Sequence, residues 1–149
     1  MAKTFDLILS GGTLVNHDGI GQRDIGVKDG SIAKIGSLAQ ADAGEVIDCA
    51  GLHILPGVID SQVHFREPGL EHKEDLESGS LAAVLGGVTS VFEMPNTNPL
   101  TTDEGKLADK VNRATGRMHS DFAFWVGGTR DNAPFVSELE RLPGAAGIK

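Results

Sequence analysis

The chain has 149 residues, 40% of them hydrophobic, enough to bury a core of ordinary domain size and too apolar for a disordered segment. A formal net charge of -8, with no dense Lys/Arg cluster, argues against nucleic acid or an anionic membrane surface as partner and favours a small solute. No segment approaches the ~20 apolar residues of a membrane span, and the one cysteine, Cys49, has no partner for a disulfide or a zinc knuckle, so a reducing, cytosolic (cytoplasmic) setting is expected.

From Phe5 to Leu55 the chain reads as short strands broken by turns: "FDLILSGGTLVN", "RDIGVKDGSIAKIG" and "EVIDCAGLHILPG". In "VKDGSIAKI", Asp29-Gly30 can adopt the positive φ angles of a tight hairpin turn. His17 and His53 fall in this region and read as structural or solvated. Beyond Pro56 the rhythm lengthens. "VIDSQVHFREPG" reads as a strand entered through "LPG" and left through "EPG". Strict alternation would put Asp60, Gln62, His64 and Arg66 on one face, with Ile59, Val63 and Phe65 on the other. A buried row of that kind has to be satisfied by a metal, a ligand or mutual pairing.

Next, "HKEDLESGSLAAVLGG" predicts a helix with Leu76, Ala83 and Val84 on an apolar face, closed by Gly86-Gly87. "VTSVFEMPN" predicts a strand stopped by Pro95. "TTDEGKLADKVNRATG" predicts a helix with a capping box from Thr101 to Glu104 and Leu107 and Val111 on one face. "DFAFWVGG" is a third strand, "APFVSELERL" a short helix, and "GAAGIK" the start of a fourth strand. Strand and helix alternate four times, the sequence form of a parallel α/β structure, either doubly wound or a barrel. His72, beside Glu71, Glu74 and Asp75, reads as part of a solvated helix start, and His119 as exposed or structural.

"DSQVHFREPG" and "MPNTNP" together resemble the amidohydrolase superfamily, and within it the dihydroorotases, whose usual signature is D-x-H-x-H-F-R followed by a Pro-Gly turn. The resemblance implies an α/β fold: a (β/α)8 TIM barrel of the metal-dependent hydrolase type, about the first half of it in residues 56–149. Residues 1–55 would be part of a small N-terminal β-sandwich domain. It further implies a zinc-dependent enzyme that interconverts N-carbamoyl-aspartate and dihydroorotate, with one or two zinc ions. In that family pattern His64 matches a metal-binding histidine, and Asp60 an acidic residue that orients a ligand. Arg66 and Asn96 match the pair that holds the substrate carboxylate. Lys149 matches a lysine that many members carboxylate to bridge two metals. Gln62 stands where the signature has its first metal-binding histidine, which makes that ligand doubtful.

The family's remaining ligands and its main acid/base residue come from later strands, so the chain is expected to be the N-terminal portion of a longer polypeptide, inactive alone. Hydantoinases and allantoinases are the alternative within the same enzyme class, favoured by Lys149 and opposed by the Arg66 and Asn96 pair. A metal-poor relative serving as structural partner of aspartate transcarbamoylase is a third reading, favoured by Gln62. A homo-oligomer is expected, with no nucleic-acid or membrane partner.

Overall fold

The computed structural model describes residues 3–149. The chain divides into two compact units, one ending at Pro56 and the other running Gly57–Lys149.

The first unit is all β. Strand β1 (Phe5–Ser10) lies between β4 (Asp24–Lys28), antiparallel to it, and β6 (Ala43–Asp48), parallel to it; β5 (Ser31–Gly36) extends the sheet beyond β4. A second sheet holds β2 (Thr13–Asn16) between β3 (Gly19–Gln22) and β7 (His53–Ile54). The β4–β5 hairpin turns at Asp29 (φ 51) and Gly30 (φ 72), as "KDGS" predicts. Phe5, Ile8 and Leu38 form a small core. Gly26 is required there, because a Cβ would stand 2.6 Å from the Phe5 ring. Cys49 is buried and free, while His17 and His53 are exposed.

The second unit alternates strand and helix. Strands β8 (Val58–Val63), β9 (Val88–Glu93), β10 (Asp121–Val126) and β11 (Ala145–Ile148) pair in parallel and in sequential order. Helices α1 (Leu76–Leu85), α2 (Glu104–Ala114) and the short α3 (Val136–Leu139), which follows a 3-10 turn at Ala133–Phe135, connect them. All three helices contribute to one core with the sheet: Leu76, Leu107, Ala114 and Leu139 pack with Phe65, Val91, Phe124 and Val126. Most of these side chains are below 2% exposed, so truncating one removes a full set of close-packed contacts. Among the described residues no helix is long and apolar enough to cross a membrane.

Four sequence expectations need correction. The α2 cap is Asp103, whose side chain accepts from the Lys106 N–H at 2.9 Å; Thr101 is 1% exposed and instead donates its own N–H to Pro95 O. In α1 the buried stripe is Leu76, Gly79 and Ser80 with Ala83 against it, which turns Val84 outward at 37% exposed. On β8, at the edge of its sheet among the described residues, Ile59 is 62% exposed and lies outside the core that Phe65 and Val63 join. The fourth concerns the polar row. Between the pairs Asp60–Val91 and Val63–Glu93, Ser61 and Gln62 of β8 stand against Phe92 alone of β9, so a bulge breaks the strict alternation. The Asp60 carboxylate supports that irregularity by accepting from the Gln62 N–H at 3.0 Å. Beyond Val63 the strand has ended, and Arg66 takes a left-handed φ of 69. Asp60 and Arg66 therefore do not extend one strand row through Gln62 and His64.

Candidate active site at the carboxyl ends of the parallel strands

Parallel strands bring all their carboxyl ends to one edge, and there the loops after β8, β9 and β10 are tied to one another and to the end of β11. Met94 N–H donates to Val63 O (3.0 Å) and Asn98 N–H to Pro68 O (2.9 Å). Gly69, at φ 92, lies so close to Asn98 that a Cβ would meet its carbonyl oxygen at 2.1 Å. Gly127 N–H donates to Thr101 O and Gly128 N–H to Lys149 O, while Asn132 Nδ2 donates to both Thr102 O and Gly127 O at 2.8 Å. This rim is where α/β proteins place ligands.

The rim carries most of the residues singled out from the sequence. His64 and Arg66 are half-buried on the loop after β8, while Gln62 near the end of the strand is exposed. Among the described residues Arg66 forms no ion pair, so its guanidinium is not spent on Asp60 or Glu67. Asn96 and Lys149 come together: with Leu100, Thr102 and Thr129 they line an open cavity of about 230 Å³. Lys149 Nζ lies 3.2 Å from Met94 Sδ. Asp60 sits lower on β8, its carboxylate turned to its own strand's backbone. Across the sheet, Trp125 Nε1 donates to Ser61 O at 3.0 Å and its ring meets Phe92 edge-on at 6.4 Å.

A zinc ion is held by three or four imidazole, thiolate or carboxylate donors. Among the described residues no three His, Cys, Asp or Glu side chains converge in that way. One imidazole (His64), one amide (Gln62) and one amine (Lys149) fall short of the set, so these residues do not by themselves fit the ion that the resemblance implies. What they offer is recognition: a guanidinium fork, an amide donor and acceptor, and an imidazole around one edge.

Two buried carboxylates support the rim, and neither was identified from the sequence. Glu67, 4% exposed, receives Arg117 through both oxygens (2.9 and 3.3 Å), Arg113 at 3.6 Å, and the Leu76 N–H at the start of α1 (3.0 Å). Burial works against its charge, but the hydrogen bonds from Arg117 and Leu76 outweigh it and hold the carboxyl below the usual carboxylate range. Glu93, 1% exposed at the end of β9, is joined by Lys110 of α2, itself 0% exposed, at 2.6 Å. Lys110 Nζ also donates to Met94 O (3.1 Å) and lies 5.3 Å from the centre of the Phe124 ring. Among the described residues Glu93 Oε1 has no hydrogen-bond partner. Desolvation consequently dominates both, raising the Glu93 carboxyl and lowering the Lys110 amine from their ordinary values. The sequence signal was present: Glu93 stands between the apolar Phe92 and Met94 at the end of β9, and Lys110 lies three residues after Leu107 and four before Ala114, in the buried stripe of α2.

Comparison with known proteins bears on the class. Residues 51–120 match the family model described as Dihydro-orotase-like. The allantoinase of Desulfitobacterium hafniense (strain Y51) is 40% identical over 97% of this chain, and that of Rubrobacter xylanophilus is 42% identical over 99%. The L-hydantoinase (dihydropyrimidinase) structure from Arthrobacter aurescens superposes on 97% of the chain with a TM-score of 0.91 and 36% identity. In each case the chain spans 32% of the relative's length, about a third. The chain is thus similar to enzymes named for cyclic amides and, over residues 51–120, to the Dihydro-orotase-like family. Two of these relatives are named allantoinases and the structure an L-hydantoinase, so the similarities do not single out dihydroorotase.

Proposed function

We propose that this chain supplies the first four strand units of a (β/α)8 barrel, preceded by part of a small β-sandwich, in a hydrolase that opens cyclic amides of the hydantoin and allantoin type. The observation that supports this most directly is the rim itself: recognition groups on successive strand ends of a sequentially ordered parallel sheet, in a chain similar along nearly its whole length to allantoinases and a hydantoinase.

In such a reaction water adds to a ring carbonyl carbon, the ring C–N bond breaks, and the nitrogen takes up a proton, leaving an open-chain acid. The residues of this chain act on the ring before that step. Asn96, beside Lys149 in the cavity, can pair with a ring N–H or C=O, and Arg66 can hold a carbonyl or carboxylate in its planar fork. Fixing the ring lowers the entropic part of the barrier. Zinc, and carboxylation of Lys149, stay part of the proposal as groups completed by further donors.

Dihydroorotase is the second reading, favoured by the pairing of Arg66 with Asn96, which suits a substrate carboxylate. The full-length protein assayed on allantoin, a 5-substituted hydantoin and dihydroorotate separates the two. We expect a kcat/KM for a neutral ring at least about tenfold above that for dihydroorotate, the discrimination one good contact gives. The reverse preference would establish the second reading, and no turnover of any of the three would remove both.

A further inference from the structure

Glu93 and Lys110 form a fully buried ion pair that no reaction step uses and that leaves one carboxylate oxygen without a hydrogen-bond partner among the described residues. A buried pair is an uneconomical way to hold a sheet to a helix, since apolar side chains of similar volume do so at least as well. Its position is what sets it apart. Glu93 is the last residue of β9 and stands level with Val63, the last of β8; the next residue, Met94, donates its N–H to Val63 O and accepts from Lys110 through its own carbonyl. Thus one ammonium grips the side chain of one residue and the backbone of the next at the point where β9 leaves the sheet. Met94 is 5% exposed, it meets Lys149 Nζ through its sulfur, and Asn96 follows two residues later.

We propose that Glu93 and Lys110 are positioning residues, a buried charge clamp that fixes the exit of β9 and thereby the placement of Asn96, Lys149 and, through the Met94–Val63 bond, His64. The proposal rests on the reading of the rim as the substrate site. An apolar pair would keep the helix on the sheet but would release the Met94 carbonyl, because it offers no donor. The clamp is thus a matter of geometry at the rim and not of overall stability.

The test is the double variant Glu93→Leu/Lys110→Met in the full-length protein, with three readouts: thermal midpoint, kcat and KM on the best cyclic amide, and peptide-level hydrogen exchange over residues 64–70 and 94–102. The expected result is an unchanged or higher midpoint, a fall in kcat of about 10- to 100-fold, the size of effect a displaced contact produces, and faster exchange confined to those two segments. Retained midpoint, retained kcat and retained exchange would overturn the proposal. If the double variant does not fold, Glu93→Gln decides, since its amide keeps the shape and an acceptor for Lys110. A loss in kcat of about threefold or more with rim exchange increased supports the clamp, again as a contact displaced; no change in either contradicts it. Should the parent protein turn over no cyclic amide, the functional reading fails on its own, and exchange at the rim still decides the clamp.

Discussion

Two regions of the same rim bury a glutamate, and they solve the problem in opposite ways. In the loop after β8, Glu67 is met by a bidentate arginine, a second arginine and a helix-start N–H, and it stays ionised below the usual carboxylate range. At the end of β9, Glu93 has one ammonium and an orphaned oxygen, and its carboxyl is pushed up. Both side chains are almost closed to solvent, but Glu93 lies deeper in the protein, so heavier desolvation and weaker compensation by donors act together to raise it. Glu67 behaves as a satisfied anchor for the loop that carries Arg66, whereas Glu93 is held at a cost that stability alone does not justify.

The largest effect should come from splitting the poorer pair. Lys110→Met leaves an uncompensated buried carboxylate and should cost about 3–5 kcal/mol, while the double variant Glu93→Leu/Lys110→Met should be neutral or stabilising by about 1–4 kcal/mol. Urea midpoints of the two variants measure this difference, and equal losses in both would erase the contrast with Glu67. Arg117→Ala removes charged hydrogen bonds from Glu67 but leaves Arg113 and Leu76, and Arg117 itself is 38% exposed. Its cost should be smaller, about 1.5–3 kcal/mol by the same measurement.

The two glutamates should also respond to pH with opposite sign. With its carboxyl lowered, Glu67 contributes stability that is complete above the unfolded carboxylate pKa and is lost as pH falls through its own lower value. Glu93, raised, contributes stability that is present below the unfolded value and is lost as pH rises through its higher one. Stability measured against pH should therefore lose part of its acid-side decline in Glu67→Gln, whereas Glu93→Gln, whatever its absolute cost, should lose the decline that accompanies ionisation of Glu93 as pH rises. Slopes of the same sign would contradict the contrast. The smallest effect is expected away from both: Asp103→Ala removes the α2 cap for about 1 kcal/mol, visible as a modest fall in thermal midpoint, while Thr101→Ser leaves that cap intact.

Much of the architecture was legible in the chain itself. The Asp29-Gly30 turn, the change of rhythm at Pro56 and the alternation of four strands with three helices rest on local chemistry, namely positive-φ residues, glycine stops and apolar spacing. The sequence was silent where tertiary partners decide. Arg66 looked like the next member of an alternating row, and only the left-handed backbone and the bulge between Asp60 and Val63 remove it. Thr101 had the right spacing for a cap, but its N–H belongs to Pro95 O, and Asp103 took the role. Glu93 and Lys110 are seventeen residues apart on different elements, so nothing local could pair them. At the site, Asn96 and Lys149 were each identifiable by resemblance, whereas their shared cavity follows only from parallel pairing.

A cyclic amide recognised at the carboxyl-end rim, as proposed, would depend directly on Asn96 and Arg66. The most direct measurement is kcat/KM of Asn96→Ala and Arg66→Ala in the full-length protein, on the cyclic amide the parent turns over best. A loss of about tenfold or more is expected in each, with thermal midpoints unchanged, as when a substrate hydrogen bond is removed. Parent-like activity in both variants would place recognition elsewhere in the protein and contradict the proposal.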